Sequence, residues 1–391
     1  MEFAERIKQL QSAVFSEQEV LKRELIQRGE EIFNFSVGTP DLPPPQHVMR
    51  VLSEEAAKPE NYKYAIKDSE ELIQAVILWY KNRFNVNLEK DEVLGLNGSQ
   101  DALAHIALST ADIGDTVLIQ DPFYPIFFVG PYLSGAKIEK MPMLIENDYL
   151  IDFTKIKPSV AHSAKLMVVS YPNNPVTKLA PFSFYEELVW FAKKYDIKVV
   201  HDNAYCELVY DGKKAGSFLN VKGAKDIGIE LNSLSKSYNI PGCRISFALG
   251  NKEMIKSLAV IKSHIDYGIF LPVQKAAIAA ITGPSDCIIK TVETYQRRRD
   301  VLVEGFSEIG WEMDKPEATM FVWSKIPKQF KSSAEFSSQM IKNTGIFTVP
   351  GSSFGENGEG YVRFALVDTE EKIKRAITKA DKWMKNNNVI L

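Results

Sequence analysis

Cysteine is scarce in this chain, with three in 391 residues: Cys206, Cys243 and Cys287. Their number is odd and their spacing wide, no C-x-x-C pair occurs, and no histidine stands at metal-ligand spacing from them. A disulfide scaffold is excluded and a metal site has no support, so the thiols are expected to be reduced and the protein cytoplasmic. Long apolar runs are absent as well, since none approaches the roughly 18 residues of a membrane span. The start, Met1-Glu2-Phe3-Ala4-Glu5-Arg6, has no basic stretch leading into an apolar core, as a signal peptide would. Positive charge is not in excess: the formal net charge is −3, which argues against a generic nucleic-acid binder. No strand is followed by a G-x-G-x-x-G turn, which leaves a dinucleotide-binding oxidoreductase without its phosphate loop. Internal repeats and low-complexity segments are missing too.

What is present is an alternation. Apolar β-branched runs are separated by longer segments of helical period, which predicts an α/β fold with a mainly parallel central sheet. Strands are expected at Thr116 to Gln120, Leu166 to Ser170, Lys198 to His201, Ile227 to Leu231 and Ile245 to Leu249. Helices lie between them, such as Phe184 to Tyr195, where Leu188, Phe191 and Ala192 share a face. After Gly283-Pro284 the texture changes to a long helical segment, strands around Thr319 to Trp323 and Gly360 to Ala365, and a terminal helix rich in lysine and alanine. At 391 residues the chain suggests two cores. The expected division is a large domain over 36–283, a smaller α+β domain over 284–391, and an N-terminal segment, 1–35, belonging to the small domain or to a partner contact. The dense basic run Arg297-Arg298-Arg299 predicts a solvated helix face with some ion pairs.

The strongest chemical signal is Ser233-Leu234-Ser235-Lys236, continuing to Gly242-Cys243-Arg244, directly after an apolar strand. A lysine closing a buried strand is costly, because its charge needs solvent or a partner. Converted to a Schiff base it becomes a cofactor anchor, and two hydroxyls plus Arg244 supply donors and charge suited to a phosphate dianion. The plainer alternative is an exposed lysine in a serine-rich turn. A weaker signal is Leu96-Asn97-Gly98-Ser99-Gln100-Asp101, which ends a strand and opens a helix. Free N–H groups at a helix start favour phosphate, and a glycine permits close approach.

S-x-S-K with an arginine eight residues on resembles the cofactor signature of class I aminotransferases of fold type I, and the resemblance extends from about Phe33 to the C-terminal helix. It implies pyridoxal 5′-phosphate held by Lys236, with phosphate contacts from Ser233, Ser235, Arg244 and the Gly98-Ser99-Gln100 cup. Ser170-Tyr171-Pro172-Asn173-Asn174-Pro175 matches the family's N-N-P turn, which gives Asn174 the phenolic oxygen of the cofactor. Asp202-Asn203-Ala204-Tyr205 matches D-x-x-Y: the acid pairs with the pyridine nitrogen, the phenol with the ring oxygen. An acid there keeps the ring protonated and electron-withdrawing, whereas a turn or helix-capping acid is the ordinary use of such a position. Tyr124, in Asp121-Pro122-Phe123-Tyr124-Pro125, takes the place of the ring-stacking aromatic. Gly360-Tyr361-Val362-Arg363 ends in the arginine that grips the substrate α-carboxylate, a bidentate task suited to guanidinium, and Gly38 resembles the glycine whose backbone meets the same group. The family builds its sites across a homodimer interface, so Tyr64 is expected to reach the partner's phosphate, with His264-Ile265-Asp266-Tyr267-Gly268 as a second edge.

Within the class the chain looks most like LL-diaminopimelate aminotransferases and related alanine or aspartate enzymes. It departs from the usual pattern at Val176-Thr177-Lys178 after the N-N-P turn, at Ala65-Ile66-Lys67-Asp68-Ser69 after Tyr64, and at Cys243. These changes bear on substrate more than on cofactor. The loop from Lys262 to Phe270 offers no arginine for a side-chain carboxylate, so a neutral or diamino-acid donor is expected, with 2-oxoglutarate or pyruvate as acceptor, while the bulky Tyr267, where the resembled LL-diaminopimelate enzymes tend to carry a small residue, is expected to fit LL-diaminopimelate itself poorly. Two competing readings keep the cofactor residues: a β-elimination lyase or Claisen-type synthase, and a sensor or binding protein on this fold without catalysis.

Overall fold

The computed structural model describes residues 4–10, 13–387 and 389; part of the N-terminal segment considered above lies outside them. The strands are β1 (Phe33–Asn34), β2 (Val93–Leu96), β3 (Thr116–Asp121), β4 (Lys137–Pro142), β5 (Ala164–Ser170), β6 (Lys198–Asp202), β7 (Gly228–Ser233), β8 (Ser246–Gly250), β9 (Phe321–Lys325), β10 (Ile346–Phe347), β11 (Val349–Pro350) and β12 (Tyr361–Ala365). Seven of them form one sheet in the order β2-β8-β7-β6-β5-β3-β4. Pairing is parallel from β7 through β6, β5 and β3 to β4, and antiparallel where β8 meets β7 and β2. The expected mainly parallel α/β sheet is present.

The physical reason is visible residue by residue. β3, β7 and β8 are buried along their whole length, and β5 and β6 expose only Lys165 and Lys198, as strands covered by helices on both faces must be. The helix Phe182–Tyr195 packs Leu188, Phe191 and Ala192 inward as its period predicts. Edge strand β4 was not evident in the sequence, because Lys137, Glu139 and Lys140 give it the polarity of a loop.

A second packing centre combines both ends of the chain. β11, β12 and β9 form an antiparallel sheet, and β1 pairs in parallel with β10. Phe33 and Phe35 are buried with Phe306, Trp311, Phe364 and Trp383. The long helix Asp286–Glu308 carries the arginine run, and here the expectation of a solvated face is corrected. Arg297 is exposed and pairs with Glu370, but Arg298 and Arg299 are buried. Arg298 makes a two-pronged contact with Asp41 at 2.7 and 2.8 Å, and Arg299 does the same with Asp211 at 2.7 and 2.9 Å. Sequence periodicity treats three consecutive cations alike. The fold separates them, because a helix turns about 100° per residue and bidentate partners allow a guanidinium to be buried.

Candidate active site

Because β3, β5, β6 and β7 run parallel, their carboxyl ends, Asp121, Ser170, Asp202 and Ser233, lie along one edge of the sheet. In open α/β sheets that edge is where ligands bind. A few residues beyond each end stand Tyr124, Asn174, Tyr205 and Lys236. All four line a cavity of about 590 Å³, together with Gly38, Ser99, Gln100, Asp202, Ser233, Ser235, Arg244 and Arg363.

Lys236 sits in the short helix Leu234–Ser237, which Ser233 caps by accepting the N–H of Ser235 at 3.2 Å. Its Nζ donates to the Gly38 carbonyl at 2.8 Å. Burial, then the charges of Arg363 and Arg244, lower the ammonium to about 8, against the opposing pull of Asp202. Asp202 is buried and its Oδ1 has no hydrogen-bond partner. Burial raises its carboxyl to about 6, opposed by His201, the Ala204 N–H and Lys236. Tyr205 and Tyr124 are likewise pushed up by burial, which keeps both phenols protonated.

Gly98, at φ 84°, precedes the helix Ser99–Thr110, and a side chain at Gly98 would overlap the Arg244 guanidinium. The Ser99 Oγ is buried without a partner at that helix start. Arg363 donates to Asn174 Oδ1 at 2.8 Å and to the Ser36 carbonyl at 2.7 Å, and its Nε is unpartnered. Its guanidinium lies 4.3 Å from the Phe321 ring centroid and 4.9 Å from that of Phe354. Burial lowers it to about 10, so it stays charged at neutral pH. A side chain at Gly38 would meet the Phe321 ring at 2.6 Å, which restricts that wall to glycine.

The residues fit pyridoxal 5′-phosphate: a buried carboxylate with one oxygen unpartnered, a helix start with a free hydroxyl beside a guanidinium, and a lysine of lowered basicity converge on one space. Tyr64 is apart from it. That ring is 85% exposed and packs on Tyr267 at 5.8 Å. Asp266, in the same loop, accepts from Asn97 at 2.7 Å and ties the loop to the Gly98 turn. Phe354, from the Gly351-Ser352-Ser353-Phe354-Gly355 stretch that the sequence places on the substrate side, lines the cavity, but sequence reasoning missed Lys22, Ser36, Phe321 and Phe347, which line it too. No local motif marks them. Only long-range pairing, such as β1 with β10, brings them in.

Residues 30–379 match the family model described as aminotransferase class I and II, and the chain belongs to that family. It is a pyridoxal phosphate-dependent aminotransferase, an enzyme acting on an amino acid and a 2-oxo acid. It is 43% identical over 383 residues to the LL-diaminopimelate aminotransferase of Moorella thermoacetica, covering 97% of each chain. To the glutamate-pyruvate aminotransferase AlaC of Escherichia coli it is 40% identical, covering 95% of this chain and 91% of that one. Among solved structures, substrate-bound BacF from Bacillus subtilis superposes with a TM-score of 0.94 at 32% identity over 98% of both chains. Aspartate aminotransferase of Thermus thermophilus, at 24% identity, shares the fold with a TM-score of 0.91.

Proposed function

We propose that this enzyme moves the amino group of a neutral or diamino L-amino acid to 2-oxoglutarate or pyruvate, with Lys236 as cofactor anchor and proton carrier. The observation that carries this reading is the convergence of Lys236, the buried Asp202 carboxylate with its free Oδ1, and Arg363 on one cavity. Bound there, pyridoxal phosphate supplies an electron sink for the pair released when the substrate's α-proton leaves.

The chain's own residues divide the remaining work. Gly98, Ser99, Gln100, Ser233, Ser235 and Arg244 hold the phosphate, joined by Tyr64 from a second copy. Tyr124 would pack against the ring, Asn174 and Tyr205 would hold its phenolic oxygen, and Asp202 would pair with its nitrogen. Arg363, oriented by Asn174 and Ser36, grips the α-carboxylate with help from the Gly38 backbone. Lys236, near neutrality at about 8, takes the α-proton on Nζ and later returns one. Lys22, on the cavity wall, supplies a distal cation for the second carboxylate of 2-oxoglutarate. Relatives named for LL-diaminopimelate and for glutamate and pyruvate support a diamino or small neutral donor. The reading includes a cytoplasmic homodimer with shared sites and the division into 36–283 and 284–391, with 1–35 joining the smaller part. Among the described residues no helix is long and apolar enough to cross a membrane.

The test is chemical. Borohydride treatment of the purified protein is expected to fix the cofactor on the peptide containing Lys236. Lys236→Ala is expected to abolish transamination, and a variant that retained the wild-type rate would remove Lys236 from the mechanism.

A further inference from the structure

Behind the cofactor wall, on the opposite face of the sheet, lies a sealed polar cluster that the reading above does not use. His201 precedes Asp202 on β6, so the two side chains point to opposite faces, and His201 stands in register with Glu230 on β7. Both are fully buried. Glu230 receives three donors of settled direction and faces a ring nitrogen of His201. Tyr80 and Ser217 donate to Oε1, each at 2.8 Å, and the Phe218 N–H and His201 Nδ1 approach Oε2 at 2.9 Å. The direction of the hydroxyls is fixed: Tyr80 accepts from Asn232 at 3.0 Å and Ser217 accepts the Leu219 N–H at 3.1 Å, so each sends its own proton to Glu230. A carboxylate that receives three such donors, counted without the imidazole, is ionised, and a buried anion needs a cation. Among the described residues no lysine or arginine bonds to it. On the other side of the imidazole, Nε2 lies 3.1 Å from the Tyr171 carbonyl, which can only accept. The Tyr185 hydroxyl stands 3.5 Å from Nε2 but spends its proton on the same carbonyl, the shorter contact at 3.1 Å, and so presents an oxygen lone pair to the ring. Both ring nitrogens of His201 therefore face acceptors, and both carry protons.

We propose that His201 is held as a doubly protonated imidazolium between Glu230 and the Tyr171 carbonyl, and acts as a positioning cation that keeps Asp202 anionic against the cofactor's ring nitrogen. This rests on the reading of Asp202 as the ring-nitrogen partner. Burial drives the Asp202 carboxyl toward its protonated form, and among the groups that oppose this, His201 has the largest influence, ahead of the Ala204 N–H and Lys236. Tyr124 and Tyr205 also interact with Asp202, as neutral phenols. With the imidazolium in place the shared proton stays on the ring nitrogen. Without it, the proton shifts toward the carboxylate.

The holoenzyme loaded with ring-¹⁵N pyridoxal phosphate reports where that proton is. In the wild type the nitrogen resonance is expected at the protonated position. In His201→Gln it is expected to move toward the unprotonated position, with kcat at least fivefold lower and the KM of the amino donor changed by less than twofold. An unmoved resonance in a folded His201→Gln protein overturns the inference. Asp202→Asn separates the two claims: a ring nitrogen still fully protonated there sinks the reading of Asp202 itself, whatever His201 does. Should His201→Gln fail to fold, neutron diffraction of wild-type holoenzyme crystals decides. Two protons on His201 and none on Glu230 support the proposal, and a neutral His201 overturns it.

Discussion

A lysine held close to neutrality inside a folded protein destabilises that protein, and Lys236 carries the cost in the absence of cofactor. Its ammonium falls from an ordinary 10.5 to about 8 in the fold. The unfolded chain thus binds the proton more tightly. The penalty is complete below pH 8 and disappears as the pH rises toward 10.5. Cofactor-free Lys236→Met is therefore expected to be more stable than the cofactor-free wild type at pH 7, by about 1–3 kcal/mol. Denaturant unfolding at pH 7 and pH 10 checks this: the gap should narrow at the higher pH, and a gap that widened would show that burial of Lys236 is not the cause. Asp202→Ala tests a different quantity. Because the phosphate contacts remain, turnover is expected to fall far more than cofactor content, and comparing kcat with bound pyridoxal phosphate per chain separates the two. Residues of this kind were legible in the sequence because each sits just past the end of an apolar strand, where a charged or polar group has no packing reason to be. Phe321 was not legible, because an aromatic in a buried strand has an ordinary packing use. Its position under the Arg363 guanidinium depends on the β9–β12 pairing.

At the scale of elements, strands buried on both faces announced themselves, while those defined by their neighbours did not. Period and composition located β5, β6 and β8 to within a residue or two. β4 was hidden by its charge, and the two-residue β1 and β10 are too short for any pattern and exist only through each other. The helix Ala13–Gln27 shows the functional side of this. Its sequence has an amphipathic period without a destination, yet it brings Lys22 to the cavity. If Lys22 meets the distal carboxylate of the acceptor, Lys22→Ala should raise the KM for 2-oxoglutarate by about 5- to 30-fold, equivalent to about 1–2 kcal/mol. The KM for pyruvate, which has no second carboxylate, should change less than twofold. Equal effects on both acceptors would assign the helix a general closing role and remove the specific contact.

For the whole molecule, the decisive question is whether one chain makes a complete site. Tyr64 lies exposed beside Tyr267 and apart from its own cavity, while its assigned partner is a phosphate. Mixing Tyr64→Ala with Lys236→Ala under conditions of subunit exchange should generate activity above that of either variant alone, because a hybrid dimer contains one site with both residues intact. A mixture no more active than its parts would contradict sharing. The surfaces left for such association are restricted by β4. This margin of the seven-stranded sheet exposes Lys137, Glu139 and Lys140 and ends in Pro142, and charged side chains and a proline along an edge strand oppose its pairing with another strand. Sheet-to-sheet growth is thereby discouraged at high concentration, when amyloid-like stacking is the hazard for any protein with a long open sheet. The charges that disguised this strand as a loop in the sequence thus guard this edge of the folded enzyme against strand-to-strand polymerisation.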